Sequence, residues 1–376
     1  MDKVFLLPRP NWVYHRLKLR LRPLKPAELD DVREVMEEYG LELTRVPQIP
    51  AVIGRSRSLI VDTLYGKKVF KRYKESMSVP AIVHEHSILT YLAQVNFPAP
   101  RLFTTLTGET LVRRGEAVYA LFDFIEGGRQ YHNYVLLPAQ ARRFAALAGS
   151  TLAALHNQLG DFAPAGQHSD GFKSLAEDRW RDLEWYMDKL AHCTAETPCL
   201  SIPGGDAGET ITILVERADW IQDTLYKLDH ALKVAAPPRL IIHGDYGPYN
   251  LLVEPDESVV VLDFELARLD WRITDLAKAI PNFSYNRRLG FSFRNMESFL
   301  GAYRAHSAIG DEELQLVPTV WQFLSTRRVV VCWDNYCNTQ VGHWLTRVRE
   351  HLRWIDWIAD NRDRQLVSLA SSQGCV

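Results

Sequence analysis

Leu240-Ile241-Ile242-His243-Gly244-Asp245-Tyr246-Gly247-Pro248-Tyr249-Asn250-Leu251-Leu252 is followed closely by Val259-Val260-Val261-Leu262-Asp263-Phe264-Glu265. The run Leu240–His243 reads as a short apolar strand that delivers a loop bearing a carboxylate, Asp245. A carboxamide, Asn250, comes five residues later, and a second apolar run, Val259–Asp263, ends in another carboxylate. Three oxygen-bearing groups thus gather at strand ends. Oxygen ligands suit Mg²⁺, a hard ion bound by one or two protein oxygens together with substrate phosphates, and a separate carboxylate can orient and deprotonate a hydroxyl. This is the equipment of phosphoryl transfer. Taken singly, Asp245 and Asn250 also read as turn formers, a role their side chains often fill.

The paired motifs His-Gly-Asp-x-x-x-x-Asn and Asp-Phe-Glu resemble those of the aminoglycoside phosphotransferase and choline kinase family, the small-molecule branch of the protein-kinase-like fold. The resemblance extends over residues from about 40 to 360. It implies an α+β, two-lobed fold with a small antiparallel-sheet N-lobe and a large, mainly helical C-lobe. It also implies ATP and Mg²⁺ as cofactors and a small-molecule hydroxyl acceptor. Asp245 would be the catalytic base, Asn250 and Asp263 the metal ligands, His243 a support of the loop, and Asp275 a brace at a helix start. Only eleven residues separate Asp263 from Asp275, which leaves no room for the activation loop of a protein kinase.

The upstream chain supplies the cation such a site needs. Val69-Phe70-Lys71-Arg72-Tyr73 places Lys71 within a strand, and Glu85 lies on the next helix, matching the lysine–glutamate pair that holds the α/β-phosphates in this fold. Lys67 and Lys68 are neighbours that a register shift would substitute. Ser56, in Gly54-Arg55-Ser56-Arg57-Ser58, falls where the family's nucleotide-positioning loop lies; the same residues also read as a plain turn. Tyr119–Gly127, with Asp123 and Ile125, corresponds to the linker whose backbone pairs with adenine, and an ordinary edge strand would look the same.

Residues 16–22 alternate cations with Leu17, Leu19 and Leu21, as in a solvated edge strand or a polyanion-binding arm. Ala27–Met36 has helical periodicity, with Gly40 as its stop. Strands are expected at 46–54, 58–65, 67–73, 101–105 and 117–124, with a helix over 79–94. Gly127-Gly128 is the candidate connection between lobes, dividing the chain into an extension and helix (1–40), a nucleotide-binding lobe (41–127) and a catalytic, acceptor-binding lobe (128–376). The latter shows helical patterns at 138–159, 175–191, 207–235 and 311–365, one short hairpin, and a surface loop at 192–210.

Composition narrows the class further. With 47% hydrophobic and 24% charged residues the 376-residue chain reads as a soluble globular enzyme. A net charge of −2 offers no general attraction to nucleic acid, so no such partner is expected. The five cysteines lack the CxxC pairs of a zinc or redox motif and read as reduced thiols of a cytoplasmic protein. No signal segment or membrane span is expected. His84-Glu85-His86 lacks the spacing of a zinc motif, and His156 on an apolar helix reads as a core histidine. Trp321, Phe323, Trp333, Tyr336, Trp344, Trp354 and Trp357, interspersed with Asp334, Glu350 and Asp356, suit either an acceptor pocket or the core. The acceptor, whether aminoglycoside-, choline- or homoserine-like, stays open, as does the oligomeric state. A non-catalytic, coat-like member of the same fold is the alternative.

Overall fold

The computed structural model describes residues 21–50, 57–75, 77–131, 136–165, 183–197, 204–286 and 289–365. Among these, the residues within Met1–Val135, Ala163–Gly171 and Tyr249–Glu265 form one unit, and those within Leu136–Phe162, Phe172–Pro248 and Leu266–Val376 form another.

In the first unit, β1 (Leu21–Pro23) pairs antiparallel with β2 (Gln48–Pro50). Between them runs α1 (Pro26–Glu38). Pro26 suits a first turn, where no backbone N–H is needed, and the Glu28 carboxylate accepts from the Lys25 N–H at 2.9 Å. Strands β3 (Arg57–Thr63) and β4 (Gly66–Arg72) are joined by a tight turn. Helix α2 (Val79–Gln94) starts at Ser78, whose hydroxyl accepts from the Ala81 N–H. With β5 (Val112–Arg114) and β6 (Ala117–Asp123) the strands make an antiparallel sheet in the order β3-β4-β6-β5.

The period of two along β4 puts Phe70 and Lys71 on opposite faces. Phe70 packs into a core with Val32, Val35 and Met36 of α1, whereas Lys71 reaches Glu85 of α2. Expectation and structure differ at residues 101–105, which form only an isolated bridge, Leu102 to Phe122. Prolines at 98 and 100 remove donors there, and Thr105 is drawn into a turn by bonds from Gly108 and Glu109.

The second unit begins with α3 (Pro138–Leu159) and continues through α4 (Leu183–Glu196), α5 (Asp206–Glu216) and α6 (Ala218–Ala235) to β7 (Arg239–Ile242). The surface loop expected at 192–210 is shorter, because α4 runs to Glu196 and α5 starts at Asp206. The expected helical stretch at 207–235 is broken at Arg217. The chain then returns to the first unit with β8 (Leu251–Val253) and β9 (Val259–Val261). It resumes the second with β10 (Arg268–Trp271), α7 (Arg272–Ser284), the short pair β11 (Tyr285–Asn286) and β12 (Gly290–Phe291), α8 (Phe293–Ala305), α9 (Val317–Thr339) and α10 (His343–Asp360).

One hairpin was expected from the two apolar runs; there are two pairs. β7 pairs with β10, and β8 pairs with β9. The turn at Pro255–Glu257, with Glu257 left-handed at φ 71°, returns Val259–Val261 onto its nearest neighbour, β8. A small antiparallel sheet and a mainly helical remainder give the α+β class the sequence implied.

Helices α3 and α8 approach so closely that a Cβ built on Gly149 would lie 2.0 Å from the Phe299 carbonyl oxygen. Only glycine permits this contact. Gly149→Ala should therefore lower the unfolding free energy by about 3 kcal/mol, measured by urea denaturation, because both helix backbones must move apart.

Candidate functional site

Within the first unit, Lys71 is the centre of a buried ion cluster. Its ammonium lies 3.1 Å from the Glu85 carboxylate and 3.0 Å from that of Glu265. Lys74 pairs with the other Glu265 oxygen at 2.8 Å. Burial alone would lower the Lys71 pKa, but Glu85, Glu265 and Asp263 together carry it above the ordinary lysine value. Glu85 is raised by burial, opposed by Lys71, and Glu265 is held low by the two lysines despite its burial. The register question among the three lysines is resolved by geometry: Lys68 pairs with Asp123 at 2.9 Å, and Lys67 lies over the Phe124 ring.

Asn250 and Asp263 share one end of the β8–β9 hairpin. Asn250 immediately precedes β8, Asp263 follows β9 by two residues, and the Leu262 N–H donates to the Asn250 carbonyl at 2.8 Å. Asp263 is exposed and sits at φ 61°, a left-handed conformation that costs an L-residue energy and that Asp tolerates better than most. Two ammonium groups, Lys71 and Lys74, face three carboxylates, Glu85, Glu265 and Asp263. The excess negative charge and the oxygen-only donor pair of Asn250 and Asp263 fit a hard divalent cation. Ile125 lies just past β6 and is half-buried, and Asp123 at the strand end is the residue paired with Lys68. Ser56 lies outside the described residues.

Within the second unit, β7 delivers the His243-Gly244-Asp245 loop. Asp275, fully buried on α7, accepts the His243 N–H on Oδ2 and the Gly244 N–H on Oδ1, each at 2.8 Å. His156 lies 3.1 Å from the same Oδ2 and 2.8 Å from the Tyr303 hydroxyl, so it is a satisfied core histidine, as its setting suggested. Burial would raise Asp275, but His156, His243 and the loop amides hold its carboxyl below the usual carboxylate range. As the sequence suggested, Asp275 lies at a helix start, in the first turn of α7 as its fourth residue. Gly244, at φ 80°, has no room for a side chain, since a Cβ would meet the Leu266 carbonyl at 2.1 Å. Lys278 donates to the Gly244 carbonyl, and the Asp245 N–H donates to His243 Nδ1 at 3.2 Å. Asp245 is half-buried on a loop whose three N–H groups and Gly244 carbonyl are all hydrogen-bonded.

The aromatic residues of the last two helices resolve mainly into core. Trp333 is fully buried with its indole N–H on Thr197, and Trp321, Trp354 and Trp357 cluster with Phe291. The interspersed carboxylates are engaged: Asp334 with Lys189 and His192, Asp356 with Arg217, and Glu350 with Arg347.

Comparison with known proteins agrees with this architecture. A model of the phosphotransferase enzyme family matches residues 45–316, and the chain belongs to that family. A homoserine kinase from Rhodospirillum rubrum is 22% identical over 334 residues, spanning 89% of this chain and 94% of that protein. An aminoglycoside phosphotransferase from Alicyclobacillus acidocaldarius superposes with a TM-score of 0.60 at 19% identity, covering 93% of this chain and 96% of that one. An amicoumacin kinase in complex with AMP-PNP, Ca²⁺ and Ami gives 0.57 at 16% identity, over 94% and 93% of the two chains. The fold is kinase-like and the protein is a small-molecule kinase. Among the described residues no helix is long and apolar enough to cross a membrane.

Sequence reasoning overlooked two participants. Glu265, legible in the sequence only as the end of the Asp-Phe-Glu motif, bonds both Lys71 and Lys74. Lys278 was not singled out, although its position three residues after Asp275 puts both on one helix face. Burial, with Arg268 nearby, pushes the Lys278 pKa down to about 8, against the pull of Asp245 and Asp275. A lysine lowered on folding destabilises where the native group is charged at a cost and ceases to do so once both states are neutral. Wild type should therefore gain stability relative to Lys278→Met as pH rises from about 7 to 10, read by urea denaturation at both values; a constant difference would contradict a buried, charged Lys278.

Proposed function

We propose that this kinase transfers the γ-phosphoryl group of ATP, used as its Mg²⁺ complex, to the hydroxyl of a small amine-bearing acceptor in the cytoplasm. Homoserine is the first acceptor to try, from the name carried by the Rhodospirillum rubrum relative. The observation that carries the reading is the buried Lys71–Glu85 pair in the same unit as the hairpin end bearing Asn250 and Asp263. An ammonium has three donors. Glu85 and Glu265 take two, and the third is the one for a nucleotide phosphate.

Asn250 and Asp263 would hold the metal, whose chemistry is to neutralise charge on the phosphate oxygens. Asp245 accepts the proton of the acceptor hydroxyl as its oxygen attacks the γ-phosphorus, and the bond to the β-phosphate oxygen breaks to release ADP. Positioning is the task of Asp275 and Lys278, which hold the loop's N–H and C=O groups, so that the Asp245 carboxylate does not have to be ordered at the moment of reaction. Ser56 and the Asp123–Ile125 segment are assigned to nucleotide positioning by resemblance to the family.

ADP release with MgATP, assayed across homoserine, ethanolamine, choline and aminoglycosides, tests this reading. Asp245→Asn should lower kcat by about 10²–10⁴-fold while MgATP still raises the melting temperature. Asp263→Ala should weaken metal-dependent nucleotide binding, and chelation of the metal should stop turnover. Full turnover by Asp245→Asn, or no ADP release with any acceptor and no thermal shift with MgATP, would sink the proposal.

A further inference from the structure

Helices α4 and α9 of the second unit bring together side chains that the kinase chemistry does not use. We propose that His192 Nδ1, Cys193 Sγ and Asp334 Oδ1, with Cys337 Sγ as the fourth donor, form a binding site for a zinc-type divalent transition-metal ion. The first three donor atoms all lie within 4.8 Å of one another, and His192 Nδ1 is 3.1 Å from Asp334 Oδ1. Tetrahedral zinc bonded at its usual lengths spaces its donors about 3.4–3.8 Å apart, so closure needs only small side-chain rotations. The thiol of Cys337 is within hydrogen-bonding reach of that of Cys193. Neither is in a disulfide.

The sequence hides this site because its donors come from two helices. His192 and Cys193 are consecutive near the end of α4, while Asp334 and Cys337 are three apart and share a face of α9. No CxxC spacing results. Imidazole and thiolate donors select a zinc-like ion over Mg²⁺, which prefers oxygen throughout.

Charge and surroundings also suit an ion. Lys189 holds the second Asp334 oxygen at 3.1 Å, leaving Oδ1 for the metal and orienting the carboxylate, as outer partners of metal ligands commonly do. With both thiols deprotonated, a divalent ion, two thiolates, one carboxylate and one ammonium sum to zero. The protons displaced from the two thiols go to solvent. Thr197 lies 3.9 Å from Cys337 Sγ, donates to the Cys193 carbonyl at 2.6 Å and accepts from the Trp333 indole at 3.0 Å, which fixes the junction from its inner side. Cys193 is fully buried, and the half-exposed His192 side chain gives the ion a way in. Four protein donors leave no open position, so the ion would tie α4 to α9 rather than act on substrate.

The test uses the full chain, reduced and stripped with a chelator, without nucleotide or Mg²⁺. Co²⁺ should bind at one equivalent with thiolate-to-metal absorption in the near ultraviolet, Zn²⁺ should abolish that absorption, and Zn²⁺ should raise the melting temperature. His192→Gln, at a half-exposed position where folding should survive, should weaken Zn²⁺ binding more than about 100-fold, and Lys189→Met by about 10–100-fold. Cys193→Ser should lose the thiolate absorption. A fully reduced wild type that takes up no Co²⁺, or His192→Gln and Cys193→Ser chains that bind as wild type does, would overturn the site.

Discussion

A fully buried carboxylate is costly unless its oxygens are met by donors. Asp275 meets that condition by gathering the second unit around itself: two loop amides after β7, His156 from α3 and, through His156, Tyr303 from α8. The same bonds that offset its burial fix the backbone of the loop carrying Asp245. Fold stability and the orientation of one side chain are therefore consequences of a single interaction. Gly244 belongs to it as well, since the loop can lie this close to the Leu266 carbonyl only without a Cβ.

The first unit solves a parallel problem with opposite charge. Lys71 sits on an inner strand, where an unpaired ammonium would lose its proton, and carboxylates from α2 and from the segment after β9 keep it cationic. Glu265 thereby links a strand residue to the very turn that carries Asp263. The arrangement is coupled: Glu85 and Glu265, both poor choices for burial alone, are tolerated because Lys71 stands between them and Lys74 pairs with Glu265. Left-handed Asp263 is the strained member, and it is also the exposed one.

Most of this was legible wherever spacing alone determines geometry. The apolar runs around His243 and Asp263 gave the strands, and the helix over 79–94 was found at Val79–Gln94, because caps and periodicity are local. Strand pairing was less accessible: that Val259–Val261 joins Leu251–Val253 rather than the Leu240 run depends on a turn whose left-handed residue, Glu257, is not a typical one. The partners of Glu265 and Lys278 were hidden for another reason. Each ion pair or hydrogen bond there closes a tertiary contact, and a single sequence carries no distance between residues 71 and 265. The aromatic residues near the carboxyl end offered two readings because helical spacing marks a face without saying what covers it.

Helices of the second unit interrupt the first unit along the chain. Hairpin β8–β9 reaches its partners, including a two-way backbone pairing of Arg129 with Val253, only after α3 to α6 and β7 have been passed. During synthesis at the ribosome the sheet-bearing unit must therefore wait, lacking its last hairpin, until Glu265 has emerged. By then more than half of the chain, including four long helices, is already outside the tunnel or inside it. Leu251 and Val261, fully buried in the finished molecule, take their places only at that moment. The usual order of biogenesis, one domain completed before the next begins, is closed to this chain. Its early nascent forms expose an unfinished apolar surface, the kind that chaperones attend.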